Sequence, residues 1–203
     1  MQNIPQDLIA IILSGGQSRR MGQDKGLLQN DGMGWVEALQ QKLAEVPLPV
    51  YVSINLEQKM PYEAVLPPQK LILDNSSFLH INGPLKGILS AHQAFPDKHL
   101  LLLPCDMLML NAEVFYWWIK TFQQQEQMEP VVVCKAENQL QPLCGIYSHH
   151  ALKKLHTLYQ QGQLEDQSMH AIIKNVLHAQ VLEVPAALLP LFKNFNTPDD
   201  LKE

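Results

Sequence analysis

Short apolar runs alternate along the chain with longer amphipathic stretches. Leu8 to Ser14 is a β-branched apolar run that ends at the double glycine Gly15-Gly16, the pattern of a strand buried on both faces that delivers a loop at its carboxyl end. From Gly15 to Gly34 the sequence is glycine-rich and charged, without a helical period. Apolar residues then recur at Trp35, Val36, Leu39, Leu43 and Val46, the spacing of a helix that Pro47 stops. Val50 to Ile54 and Leu71 to Leu73 read as short strands, each followed by a polar residue, Asn55 and Asp74. A Gly-Pro turn leads into a helix over Gly87 to Phe95, and His99 to Leu103 is another buried strand, closed by Pro104-Cys105-Asp106. Asn111 is placed to cap a helix reaching about Gln125. Its apolar face uses Val114, Phe115, Trp118, Ile119 and Phe122, leaving Trp117 and the run Gln123 to Gln125 toward water.

Val131 to Cys134 and Cys144 to Tyr147 read as strands, with a polar connection around Glu137 to Gln141 between them. Helices are expected over His149 to Gln160 and Ser168 to Asn175, and a last strand over Ala179 to Val184. Thr197-Pro198-Asp199-Asp200 supplies a cap and an N1 proline for a short terminal helix. This alternation implies an α/β fold, a three-layer Rossmann-like single domain over residues 1–203 with a mostly parallel central sheet. Ligands of such sheets bind beyond the carboxyl ends of the strands. The candidate site is therefore the ring of loops after Ser14, Ile54, Leu73 and Leu103.

Composition removes several function classes. The chain has 15 Lys and Arg against 20 Asp and Glu, a net charge of −5, so no basic field exists to hold a nucleic acid. The longest apolar runs fall far short of the roughly 20 residues of a membrane span. Met1 to Asp7 lacks the basic start and apolar stretch of a secretory signal, so a cytoplasmic protein is expected. Cys105, Cys134 and Cys144 are odd in number and have no CxxC spacing, which fits reduced thiols and neither a disulfide framework nor a zinc site. The histidines show no metal-ligand spacing.

The segment Leu13-Ser14-Gly15-Gly16-Gln17-Ser18-Arg19-Arg20-Met21-Gly22-Gln23-Asp24-Lys25 carries the strongest chemical signal. Glycines let backbone N–H groups approach phosphate oxygens, and Arg and Lys neutralise the charge that gathers on a leaving pyrophosphate. The spacing is neither that of a P-loop nor that of a dinucleotide fingerprint. A surface loop with solvated charges is the other reading. Asp106, at a strand end, suits a hard cation held by one or two protein oxygens, or else is a turn-forming residue after Pro104. Asp74 is open between a ligand contact and an Asx-turn, and Lys86 between an anion contact at a helix start and an ordinary exposed lysine. Cys105 has no base tied to it and reads as a buried thiol.

The same run resembles the signature L-x-G-G-x-S-x-R-M-G-x-D-K of molybdenum cofactor guanylyltransferases. The likeness continues through Gly83-Pro84-Leu85-Lys86-Gly87-Ile88, Leu103-Pro104-Cys105-Asp106-Met107, Gln141-Pro142-Leu143-Cys144-Gly145-Ile146-Tyr147 and Phe195-Asn196-Thr197-Pro198-Asp199-Asp200-Leu201. It implies transfer of GMP from GTP to the phosphate of molybdopterin or molybdenum cofactor, with Mg²⁺ as cofactor. It also implies that Leu13, Ser14, Gly15, Gly16 and Lys25 contact GTP, that Asn55 and Asp74 hold the nucleoside, that Asp106 binds the metal, and that Asn194 and Asn196 lie near the pterin. Lys25 would stabilise charge developing at the α-phosphate and Arg20 the pyrophosphate, with Arg19 the more solvated neighbour. A molybdoenzyme or a cofactor-delivery protein is the implied partner, and a monomer or weak oligomer the expected state. Two departures stand out: Leu108 where relatives carry proline, which would loosen the turn that aims Asp106, and Ser14 where they carry alanine, which adds a hydroxyl near the base or ribose. A cytidylyltransferase on the same pterin, a sugar-phosphate nucleotidyltransferase and a non-catalytic carrier of nucleotide or cofactor are the rival readings.

Overall fold

The computed structural model describes residues 4–15, 24–125, 130–197 and 200. Seven strands form one sheet: β1 (Leu8–Leu13), β4 (Val50–Ile54), β5 (Leu71–Leu73), β6 (His99–Pro104), β7 (Val131–Ala136), β8 (Gln139–Tyr147) and β9 (Gln180–Glu183), in the order β5-β4-β1-β6-β8-β7-β9. A separate ribbon pairs β2 (Gln29–Asn30) with β3 (Met33–Gly34). β5, β4, β1 and β6 run parallel, as do β7 and β9, while β8 is antiparallel to both of its neighbours. The sheet is thus mostly parallel, and four carboxyl ends are gathered on one edge.

Alternation within the buried strands decides which layer each side chain joins. Leu8, Ala10 and Ile12 of β1 point into the layer with α1 (Trp35–Leu43) and α4 (Ala112–Gln123), beside Trp35, Leu39, Phe115 and Trp118. Ile9, Ile11 and Leu13 point the other way, toward α3 (Pro84–Ala94) and α5 (His149–Gln160), beside Ile88, Leu89, Leu152 and Leu155. A strand apolar on both faces is what a central parallel position requires. Among the described residues, no helix is long and apolar enough to cross a membrane.

Several boundaries differ from the sequence reading. α3 starts at Pro84, not Gly87, because Gly83 adopts φ 70° and the proline, lacking an N–H, fits the first helical position. The polar connection around Glu137 to Gln141 shrinks to a tight turn at Glu137 and Asn138, both at positive φ as a two-residue hairpin demands. The helix expected over Ser168 to Asn175 is only α6 (Met169–Ala171), which widens into a π-helical stretch over Ile172–Leu177 and stops at His178 in the left-handed region. A short helix α2 (Lys59–Glu63) stands in the connection before β5. Trp117 and Gln125 are half-buried: Trp117 packs on the rim of the core, and Gln125 donates to the Thr121 carbonyl at 2.8 Å. Of the expected terminal helix, Pro198, Asp199 and residues 201–203 lie outside the described residues.

Candidate functional site

The loops that leave the parallel strands are stitched together at their first residues. Ser14 N–H donates to the Ser53 carbonyl at 2.9 Å, Asp74 N–H to Ile54 at 2.9 Å, and Cys105 N–H to Leu13 at 3.1 Å. Gly15, Asn55, Asp74 and Asp106 therefore stand along one edge of the sheet. The edge has two parts, a cleft over β4 and β5 and a charged pair beyond β6.

The cleft encloses about 810 Å³ and is lined by Gly15, Asn55, Leu73, Asp74, Asn82 and Lys86 among others. Gly15 forms its floor: a Cβ there would lie 3.8 Å from both Asn55 N and Asp74 Oδ2. Asp74 Oδ1 is buried and has no hydrogen-bond partner among the described residues. Burial pushes its carboxyl up to about 6, against the opposing pull of the Lys86 ammonium. Such an oxygen is costly unless a ligand donor meets it. The Asn55 side chain accepts Gln58 N–H at 3.1 Å, while Asn55 N–H donates to Gln58 Oε1 at 2.8 Å, so a capping pair fixes that wall.

In the charged pair, Lys25 Nζ donates to Asp106 Oδ2 at 3.0 Å and to Asn196 Oδ1 at 2.8 Å. Both charged side chains keep 23% of their exposure, so the pair is accessible to a ligand. Asp24 caps the 3₁₀ turn Lys25–Leu27 through Gly26 N–H at 2.9 Å, which aims Lys25 across the site. Asp106 is held from behind, its carbonyl accepting Phe195 N–H at 2.9 Å. Phe195 is buried between exposed Asn194 and Asn196, the alternation expected of an extended segment. The Asp200 carboxylate accepts Asn196 N–H at 2.6 Å and Thr197 N–H at 3.0 Å, and these donors hold its carboxyl below the usual range.

Of the candidate ligand-contacting residues, Gly16, Arg19 and Arg20 lie outside the described residues and the others have a definite place. Lys25, Asp106 and Asn196 come together, as do Gly15, Asn55 and Asp74 around the cleft. Asn194 shares the exposed face of Asn196 two residues earlier. Leu13 is buried, and its carbonyl is spent on Cys105. The Ser14 hydroxyl is buried too and turns inward to the Tyr62 hydroxyl, so it is not a free group in the cleft. The turn after Asp106 is anchored without a proline at Leu108: Met107 and Leu108 are buried, and the Lys42 ammonium, its pKa lowered by burial, donates to the Leu108 carbonyl. Cys105 is buried and its thiol is pushed up to about 12, which removes it as a nucleophile. Tyr62, Gln58 and Lys42 were not foreseen. The Asn55-x-x-Gln58 spacing was a legible helix-start signal, and it would have located α2.

A family model described as the MobA-like NTP transferase domain matches residues 10–181. A probable molybdenum cofactor guanylyltransferase of Nostoc sp. is 30% identical over 198 residues, 96% of this chain and 89% of that protein. A molybdenum cofactor guanylyltransferase of Acinetobacter baumannii is 28% identical over 194 residues, 95% of this chain and 88% of its own length. Among solved structures, molybdopterin-guanine dinucleotide biosynthesis protein A of Archaeoglobus fulgidus superposes with a TM-score of 0.72 at 20% identity, covering 96% of this chain and 95% of that one. The 2-C-methyl-D-erythritol 4-phosphate cytidylyltransferase of Francisella tularensis does so with a TM-score of 0.66 at 11% identity, covering 97% of each chain. At such identities the two superpositions speak for the fold alone.

Proposed function

The chain belongs to the MobA-like NTP transferase family, which makes it a nucleotidyltransferase, and from that premise we propose that it transfers GMP from GTP to the terminal phosphate of molybdopterin or molybdenum cofactor. The observation that carries this reading is the Lys25 ammonium lying on the Asp106 carboxylate at the strand ends, beside a cleft of nucleoside size. A phosphate oxygen of the pterin attacks the α-phosphorus of GTP, the bond from that phosphorus to the α,β-bridging oxygen breaks, and pyrophosphate leaves. Such chemistry needs positioning and charge neutralisation, and no covalent enzyme intermediate.

In this reading the nucleoside occupies the cleft and the triphosphate crosses Gly15 toward Lys25. Asp74 and Lys86 fit guanine, since a carboxylate accepts from its N1–H and amino group and an ammonium donates to its O6. The choice of guanine over cytosine rests on the relatives. Lys25 leaves Asp106 for the phosphates as the nucleotide arrives. The freed carboxylate is a hard oxygen donor that would hold Mg²⁺. Bound there, the ion would supply charge neutralisation for the pyrophosphate leaving group. Asn194 and Asn196 face the pterin phosphate, Gly16 and Arg20 serve the triphosphate, and one domain carries the whole site. The three buried thiols suit a cytoplasmic setting, and a molybdoenzyme or delivery protein would receive the product.

Pyrophosphate release with molybdopterin and Mg²⁺ tests the proposal, with GTP and CTP supplied in parallel. Turnover with GTP alone is expected, and Lys25→Ala or Asp106→Ala should lower it by roughly 10²-fold or more while circular dichroism stays native. Turnover with CTP alone would make the protein a cytidylyltransferase; GTP binding without turnover would make it a carrier.

A further inference from the structure

We infer that Tyr62 and Gln58 are positioning residues of the nucleotidyl-transfer site, a clasp that grips both ends of the glycine-rich loop and so sets where Lys25 stands. The inference rests on the reading of that loop and Lys25 as the triphosphate-binding side of the site.

Tyr62 is fully buried on α2, with its hydroxyl at the junction of two chain segments. It donates to Asp24 Oδ1 at 2.9 Å, on the return side of the loop, and it meets the Ser14 hydroxyl on the outgoing side. Gln58 repeats the bridge one turn away: its Nε2 donates to the Ser14 carbonyl at 2.8 Å and also to Asp24 Oδ2. The Asp24 carboxylate thus receives Gly26 N–H, the Tyr62 hydroxyl and the Gln58 amide. Its oxygens are committed to neutral donors, so its duty is to cap the turn that begins with Lys25, not to hold a metal. Gln58 Oε1, which accepts Asn55 N–H at 2.8 Å, extends the same clasp to the wall of the cleft.

The clasp leaves no slack. A Cβ on Gly26 would run into the Tyr62 and Ser14 hydroxyls and come within 2.7 Å of Val36 Cγ2. Two side chains from one short helical segment therefore fix, at once, the strand end, the Lys25 turn and the cleft wall. A shift of about 1 Å in a reacting group can cost roughly 10²-fold in rate, so a rigid link between the Lys25 turn and the cleft is itself catalytic equipment.

Tyr62→Phe keeps the buried ring and removes only the hydroxyl. Its kcat and KM for GTP should be measured with saturating molybdopterin and Mg²⁺, alongside a thermal melt. The expected result is a folded protein whose kcat/KM for GTP falls by about 10-fold or more, with the KM for the pterin unchanged. Ser14→Ala, which cuts the Tyr62–Ser14 contact but leaves the Tyr62–Asp24 bond, should give a smaller fall in the same sense. The double variant should lose little beyond Tyr62→Phe alone, since that variant already removes the contact with Ser14. If wild type turns over GTP and both single variants match its kcat/KM, whatever their melting temperatures, the clasp is structural filling and the inference falls. If wild type turns over no nucleotide, the reading of the site falls first and takes the clasp with it. Should Tyr62→Phe fail to fold, Ser14→Ala and Gln58→Glu carry the same comparison.

Discussion

Asp74 is the residue on which the balance between stability and function can be read most directly. Its carboxyl is pushed up to about 6 by burial, above the 3.8 of a free side chain, so the native state holds the proton more tightly than the unfolded chain. A carboxyl with a raised pKa contributes stability that is present below about pH 4 and lost as the pH rises through 6. Above that, the protein keeps a half-buried charge whose Oδ1 has no partner among the described residues. Asp74→Asn keeps the shape and cannot ionise. It is expected to melt above wild type near neutral pH and to bind GTP more weakly, with the stability gain narrowing as the pH falls toward about 4. An offset that ignores pH would show that the gain does not come from the carboxyl charge. Asp74 was legible because a polar residue directly after a short apolar run marks a strand end, and the same logic located Asn55 and Asp106. Tyr62 and Gln58 were not legible for a physical reason. Their partners Ser14 and Asp24 lie 48 and 38 residues from Tyr62, and 44 and 34 from Gln58, and local periodicity carries no information about which distant loop a buried hydroxyl or amide will meet.

At the scale of elements, β1 and β6 were plain because residues 8–13 and 100–103 are apolar on both faces, and β4 breaks its run only at buried Ser53. The β7–β8 hairpin was harder, since Pro142 and Gly145 both argue against a central strand. The structure resolves the conflict with an irregularity: Val133 pairs Gly145, but Cys134 pairs Gln141, so Pro142, Leu143 and Cys144 bulge out of the ladder and the proline needs no strand partner. The Tyr147 hydroxyl closes the bulge on the Pro142 carbonyl at 2.5 Å. Gly145 is required at the crossing, because a Cβ there would strike the Val132 carbonyl oxygen and sit 2.9 Å from Val133 Cα, both backbone and unable to yield. Gly145→Ala is therefore expected to cost about 2 kcal/mol or more in a denaturant titration. Activity should fall with it, because β8 flanks β6 and β6 leads directly to Asp106. Unchanged stability would mean that the hairpin can re-register around the methyl group. The π-helical widening at Ile172–Leu177 left no comparable signal, and its apolar residues follow an ordinary helical pattern.

For the molecule as a whole, the proposed chemistry collects at the carboxyl ends of the parallel strands, while the buried histidines collect elsewhere, on the α3 and α5 face and at the start of β6. His92 is buried with Nδ1 unpartnered among the described residues, and burial, reinforced by the nearby His156 and His149, lowers its pKa to about 4. Burial also lowers His99, His149 and His156. His99 Nδ1 accepts His149 N–H at 3.0 Å at the start of α5, and its Nε2 faces Asp7 Oδ2 at 3.2 Å. Asp7, His99 and His149 offer ligand atoms within 4.8 Å of one another, but the His99 lone pair is already spent on a backbone donor. The trio thus ties the segment before β1 to β6 and α5, and protonating His99 on Nδ1 would break that tie. For a depressed pKa the stability is present above about 6.5 and is lost as the pH falls through the folded value, here about 4 for His92. Asp74 works in the opposite sense over the same interval, yet it is one group against four. The net expectation is a melting temperature that drops steadily on acidification below neutrality, with Mg-GTP offsetting part of the drop because it binds only the native state. His92→Leu removes both the titrating ring and its unpartnered nitrogen. It should flatten the acid slope while leaving stability at neutral pH equal or higher, and an unchanged slope would assign the acid sensitivity to the Asp7, His99 and His149 tie instead.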